Sequence, residues 1–348
     1  MPKHAADNKP VTIKSIAEAL QISFSTVSKA LNNNPLIKDE TRDLVMKKAQ
    51  EMGYTPNSLA RGLRSSSTKT IAIIFNDIEN PVLTYVFRNI SIAMAEFGYT
   101  TMIFDSQFNE KIERNNIVAV LSRLPDFIII EPASMNKENL KLLAGMKNKV
   151  SIQGKKFTDI ICHRVEVDYF KGGYISASEL LANGHRDIVV LTETLSFPTS
   201  KEFVDGIKKA FDEYGIPFDD QRVMTGHSSI EGGFKIMQSF RDSQTQSWTI
   251  PITGVITFDD NLAFGVYKSA QINKLTIPED ISIIGFDDNP LSAFSSPPLT
   301  TMHLPKEKMA EHHLDIITAI LLKERTEICL CSTEPVLVKR GSVKNIVS

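Results

Sequence analysis

The sequence predicts an all-α helix-turn-helix head followed by an α/β body of two lobes, each built on a doubly wound parallel sheet. Three observations predict it. Two short apolar stripes near the N-terminus are joined by only three residues. From Thr70 onward, strand-like apolar runs alternate with helical ones. The strand candidates are too many for one comfortable sheet, so two similar lobes are the economical arrangement. A chain of 348 residues has room for a small domain plus a larger two-lobed one.

In the head, Thr12 precedes a helical pattern in which Ile13, Ile16, Ala17 and Leu20 form one apolar stripe. Gln21-Ile22-Ser23 follow, and Ser23 has the side chain to cap a second helix. There Val27, Ala30 and Leu31 face inward, leaving Phe24, Ser25, Thr26, Ser28, Lys29 and Asn32 for the outside or the rim. In a helix-turn-helix the second helix enters the major groove and reads base edges with its first residues. Small hydroxyl residues permit close approach there, and Lys29 can reach a guanine edge or a phosphate.

A third helix, DETRDLVMKKAQEMG, carries Asp39 and Glu40 at its positive end, turns Val45, Ala49 and Met52 to one face, and stops at Gly53. Next comes a short basic segment, YTPNSLARGLR, and then a polar SSST link. Too short to be stable alone, it would fold when docked on DNA and present Leu63 as an apolar wedge between arginines.

Charge agrees with this division. Residues 1–70 hold 11 Lys/Arg against 6 Asp/Glu, a balance of +5, and the remaining 278 hold 28 against 35, or −7. A basic head on an acidic body suits a chain in which only the head meets a polyanion.

The series TIKSIAEAL, STVSKALNNN, ETRDLVMKKAQEMGYTPNSLARGLRS resembles the DNA-binding head of the lactose/galactose repressor (LacI/GalR) family. The resemblance implies that Phe24, Ser25 and Lys29 read bases, while Thr26, Ser28 and Asn32 hold phosphates or neighbouring bases. Tyr54, Asn57, Ala60, Arg61 and Arg64 join the DNA-facing set. It also implies a hinge helix over residues 56–63 that forms on the operator, with Leu63 of each subunit opening the minor groove at the centre. One residue departs from the family pattern. The turn, usually Gly, is Gln21 here, and a non-Gly residue held at positive φ would cost about 1 kcal/mol.

The body's strand runs are TIAIIF, TTMIF, DFIII, KVSIQ, VEVD, DIVVLT, GVITF and ISIIGFDD, with helical stretches between them. Ligands of such folds sit at the carboxyl ends of strands. No phosphate loop, serine elbow or metal-spaced His pair occurs, so neither an enzyme, a cofactor nor a metal is expected. His227, His303 and the His312-His313 pair are read as solvated or structural. Cys162, Cys329 and Cys331 form no paired framework and are expected reduced. With no export signal or membrane-length apolar run, a cytoplasmic protein with no membrane partner is expected.

The segments IAIIFNDIENP, VEVDYFKGG, NGHRDIVVL, IPEDISIIGFDD, SSPPLTTMHLP and LVKRGS are similar to the family's sensing domain, itself like periplasmic sugar-binding proteins. The resemblance, over about residues 12–342, implies a homodimer on a pseudo-palindromic operator, whose lobes rotate when an effector enters the cleft between them. Carried over, the effector positions are Asn76, Asp77, Asn80, Glu131, Gly154, Phe203, Ser228, Asp259, Asp287 and Leu304, with Lys155 as the nearest counter-charge. Phe203 stands where many members place an arginine clamp, so a ring would stack where a guanidinium would grip. With three carboxylates in the cleft, the expected effector is a neutral or cationic small molecule, most simply a sugar or sugar-like ring. The alternative is control by a partner protein. The expected boundaries are a tail to residue 11, a head over 12–55, a hinge and link over 56–69, the body over 70–342 and a tail over 343–348.

Overall fold

The computed structural model describes residues 11–54, 67–134, 136–146, 148–154, 162–242, 248–322 and 327–347. They divide into two compact units with the boundary between Thr68 and Lys69. The expected hinge over 56–63 lies outside the described residues, and so do Asn57, Ala60, Arg61, Leu63, Arg64 and Lys155.

The head is three helices, α1 (Ile13–Leu20), α2 (Phe24–Leu31) and α3 (Asp39–Glu51). Thr12 and Ser15 cap α1 reciprocally, each hydroxyl accepting the other's backbone N–H. Ile16, Ala17, Val27, Ala30, Val45 and Ala49 interlock as the head's core. Gly53, at φ +69, ends α3, and the Tyr54 N–H returns to the Ala49 carbonyl. Gln21 holds the left-handed turn at φ 53 and ψ 37, so the geometry the family gives to glycine is kept without it. Gln21→Gly is therefore expected to stabilise the head by up to about 0.5 kcal/mol, the relieved backbone strain less glycine's greater chain entropy. Slower hydrogen exchange of α1 and α2 amides would register this; unchanged or faster exchange would show that the turn is not strained.

The first lobe runs β1 (Thr70–Phe75), α4 (Pro81–Glu96), β2 (Thr100–Asp105), α5 (Glu110–Leu121), β3 (Phe127–Ile130), α6 (Lys137–Lys141), β4 (Val150–Gly154) and β5 (His163–Val167). The chain then crosses to the second lobe. There it forms α7 (Tyr169–Ala182), β6 (Ile188–Thr192), α8 (Pro198–Glu213), β7 (Val223–Thr225) and α9 (Ile230–Ser239). That lobe continues with β8 (Gly254–Thr257), α10 (Asp260–Ile272), β9 (Ser282–Asp287) and β10 (Thr300–His303). The chain returns with α11 (Lys306–Leu321) and β11 (Leu330–Thr333) to the first sheet, and β12 (Val336–Val338) joins the second. Sheet orders are β11-β5-β4-β3-β1-β2 and β12-β10-β9-β8-β6-β7. Every pairing is parallel except β12 with β10.

β1 shows why the sequence chooses this fold. Ile71 through Phe75 are all 0% exposed, because helices cover both faces and leave no polar side to the strand. The expected tail over 343–348 is corrected: Lys344 N–H donates to Ser282 Oγ at 3.0 Å and Ile346 N–H to the Asn183 carbonyl at 2.9 Å. Apolar Val343 packs on the core and carries the chain end back across the lobe.

Candidate functional site

Two surfaces carry chemistry, one on each unit. On the head, Ser23 caps α2, its hydroxyl oxygen accepting the Thr26 N–H at 3.0 Å. The two hydroxyls of Ser23 and Thr26 also bond at 2.8 Å, which leaves Thr26 half-buried. Phe24, 48% exposed, stands at the first turn, with Ser25, Lys29 and Asn32 exposed along the helix. The Asn32 amide donates to the Ser28 carbonyl at 2.7 Å, holding the last turn. Ser28, expected at the outside or the rim, is covered more than either implies: between inward Val27 and Ala30 it is 9% exposed. Tyr54 is half-buried and packs on the head core with the rest of its surface open.

On the body, the carboxyl ends of strands from both sheets converge on a cleft of about 720 Å³, its open mouth included. Asn76 and Asp77 follow β1, Glu131 follows β3, Gly154 ends β4, and Leu304 follows β10. Ser228 follows β7, Asp259 follows β8, Asp287 ends β9, and Asn80 caps α4. The structure thus gathers these expected effector positions at one place, as the strand-end rule anticipates. The mouth is bridged by Phe108 of the first lobe, whose ring meets His227 of the second edge-on at 5.7 Å.

Phe203 is corrected. It is 0% exposed and does not line the cleft. Its ring packs edge-on against Phe258 at 5.3 Å and Phe286 at 5.5 Å, behind the wall. The cause is the close crossing of α7 and α8. A Cβ on Gly173 would lie 2.0 Å from the Phe203 carbonyl oxygen, and one on Gly206 equally close to the Phe170 carbonyl oxygen. That contact draws the first turns of α8 inward. The rings that line the cleft are Tyr169, Phe258 and Phe108, and Tyr169 stacks on Phe258 at 5.4 Å.

Gln153, Glu193, Thr199 and Asn261 also line the cleft and were not anticipated. Glu193 directly follows β6, so the strand-end rule would have found it, whereas Asn261 lies in the first turn of α10. Gln153 belongs to a buried relay. The His313 Nε2–H donates to Gln153 Oε1 at 3.0 Å, and Gln153 Nε2 donates to Glu131 Oε2 at 2.9 Å. Asn76 Nδ2 donates to the other Glu131 oxygen at 3.3 Å. Burial pulls the His313 ring down to about 3, so it is neutral, and the Gln153 acceptor places its one proton on Nε2.

The cleft is acidic. Burial, reinforced by Glu193 and Asp260, pushes the Asp259 carboxyl up to about 7. Burial also raises Asp287 well above the carboxylate range, with Asp259, Asp260 and Glu131 adding to it. Asp260 does not line the cleft and is structural. It accepts from Ser292 Oγ and Thr301 Oγ1, both at 2.6 Å, and from the Asn289 N–H at 2.7 Å. Asp288 is bound by Arg340 Nη2 at 2.6 Å and His303 Nδ1 at 3.0 Å, so of the Asp287-Asp288 pair only Asp287 faces the cleft. No group of His, Cys, Asp and Glu among the described residues could hold a metal ion.

A helix-turn-helix head on a two-lobed α/β body with a strand-end cleft defines a DNA-binding transcription regulator with a periplasmic-binding-protein-like domain. Residues 12–57 match the bacterial regulatory proteins of the lacI family, and residues 177–343 match the periplasmic binding protein-like domain. The chain belongs to the LacI family. It is 30% identical over 339 residues to the HTH-type transcriptional repressor PurR of Pasteurella multocida, covering 96% of this chain and 99% of that one. It is 27% identical over 318 residues to catabolite control protein A of Priestia megaterium, covering 91% and 94%. Its fold is similar to that of the Lac repressor dimer bound to operator and the anti-inducer ONPF. The TM-score is 0.79 at 20% identity, over 97% of this chain and 100% of that one.

Proposed function

We propose that this regulator is a repressor, acting as a homodimer at a pseudo-palindromic operator, with its operator affinity set by a small molecule in the inter-lobe cleft. The observation that carries the reading is the pairing, in one chain, of an exposed α2 face with a cleft lined by buried carboxylates and aromatic rings. Carboxyl groups exchange several hydrogen bonds with hydroxyls and rings stack on flat faces, which suits a hydroxyl-rich ring such as a sugar. The similarity to a Lac repressor dimer holding operator and anti-inducer supports the same division of labour. In this reading residues 56–63 fold on the operator and Leu63 from each subunit wedges its centre open. The operator places the protein's work in the cytoplasm in this reading; no helix among the described residues is long and apolar enough to cross a membrane.

Selection of genomic fragments on the full-length chain, with sequencing, tests this. An imperfect palindrome with a flexible central step is expected; enrichment without a shared site would count against it. Lys29→Ala should then cost roughly 1–3 kcal/mol and relax preference at one symmetric base pair if Lys29 meets a guanine. A phosphate contact would instead weaken all sequences alike and flatten the salt dependence.

A further inference from the structure

Resting on that cleft reading, we propose that the ligand carries a positively charged amine seated on Asp259: a hydroxylated ring bearing a primary ammonium, of the amino-sugar kind. The charge balance of the walls is one support. Asp77, Glu131, Glu193, Asp259 and Asp287 all line the cleft, and no Lys, Arg or His lines it among the described residues; the basic groups that act on these carboxylates from outside the lining are His227, at the mouth, on Asp77 and Lys306 on Asp287. The state of Asp259 is the second, independent support. It is only 6% exposed, and its Oδ1 caps α10 by accepting the Leu262 N–H at 2.7 Å. Its Oδ2 is buried with no hydrogen bond within the protein. A buried acceptor left in that condition costs free energy that a donor from the ligand would recover.

Hydrogen-bond inventory separates an ammonium from a neutral hydroxyl. Ionised carboxylates only accept, and an ammonium is the ligand group that draws Asp259 and Asp287 into that form, whereas each hydroxyl brings lone pairs that need donors in return. The amide donors that could meet them are partly committed. Asn76 Nδ2 and Gln153 Nε2 are both turned to Glu131, and the Gln153 carbonyl receives His313. An ammonium brings three donors and no acceptor. It would also relieve the mutual repulsion among Asp259, Glu193 and Asp287 that now favours protons on them. The stacked Tyr169 and Phe258 rings supply an apolar face for the ring body.

The test uses the full-length protein at neutral pH, by calorimetry and thermal shift. Probes are glucosamine, galactosamine and mannosamine, each beside its parent sugar and its uncharged N-acetyl derivative. At least one amine should bind about tenfold to a hundredfold more tightly than both uncharged partners, the range of a charge-assisted bond. Asp259→Asn should erase that preference. The variant keeps the helix cap, since Asn caps as well as Asp, so its fold is preserved. Tightest binding by an uncharged probe, a preference that survives D259N, or no shift with any of the amines overturns the inference. If a neutral sugar binds and operator affinity ignores it, the underlying reading fails instead.

Discussion

Gly173→Ala is expected to destabilise the body by about 3 kcal/mol, at the upper end of what overpacking costs. The added methyl would lie 2.0 Å from the backbone oxygen of Phe203, where no rotamer change can relieve it. Helix α8 would have to lift away from α7 and withdraw the Phe203 ring from Phe258 and Phe286. Because Phe258 is also a cleft wall, ligand binding should weaken along with stability. Gly145→Ala is the control, since a Cβ there meets nothing within 4 Å, and it should stay within about 0.5 kcal/mol of wild type. Urea unfolding of the two variants decides the matter. Equal midpoints would mean that the crossing is not set by glycine.

Asp259→Asn is expected to stabilise the body at alkaline pH and to have little effect near pH 4. The folded protein holds the Asp259 proton up to about pH 7, whereas an unfolded chain releases it near pH 3.9. In that window the folded state binds more protons, so this residue lowers stability progressively as pH rises from about 4 to about 7, then no further. The charged groups facing it, Glu193, Asp260 and Asp287, are all acidic and push the same way. The amide variant removes the loss, a gain on the order of 2 kcal/mol at pH 8 after allowing for relaxation and water entry. Denaturation midpoints for both proteins at pH 4.5 and pH 8 give the difference directly. A variant no more stable than wild type at pH 8 would show that the carboxylate is not buried at a cost.

Elements with a strong periodic signal are legible in the sequence alone. The run TIAIIF is β1 from first residue to last, because a strand covered on both faces must be apolar throughout. β7, β10 and β12 were not anticipated. They are three or four residues each, and β7 and β10 include polar threonines whose burial or edge position depends on neighbouring strands. The same limit explains the site. Asn76, Asp77, Glu131, Asp259 and Asp287 could be placed through the family resemblance, and they fall where apolar runs end, where the fold puts its ligands. Phe203 could not be, since its position depends on how closely α7 and α8 approach, a property of Gly173 and Gly206, which lie far apart in the chain. Ser28 shows this on a smaller scale: helical periodicity puts it at the outside or the rim, but packing of the short head covers it.

Cleft control of operator binding comes down to one ratio, the affinity of the full chain for its selected operator over that for a random duplex. It is measured with the cleft native and with an indole placed in it by Ser228→Trp. Ser228 is half-exposed in the cleft wall, so the ring can enter without breaking a core. Wild type should prefer operator by roughly 10³ or more. The variant should keep its random-duplex affinity while its operator affinity changes at least about tenfold, in the range of ordinary allosteric coupling. An unchanged ratio in the two proteins would contradict control from the cleft.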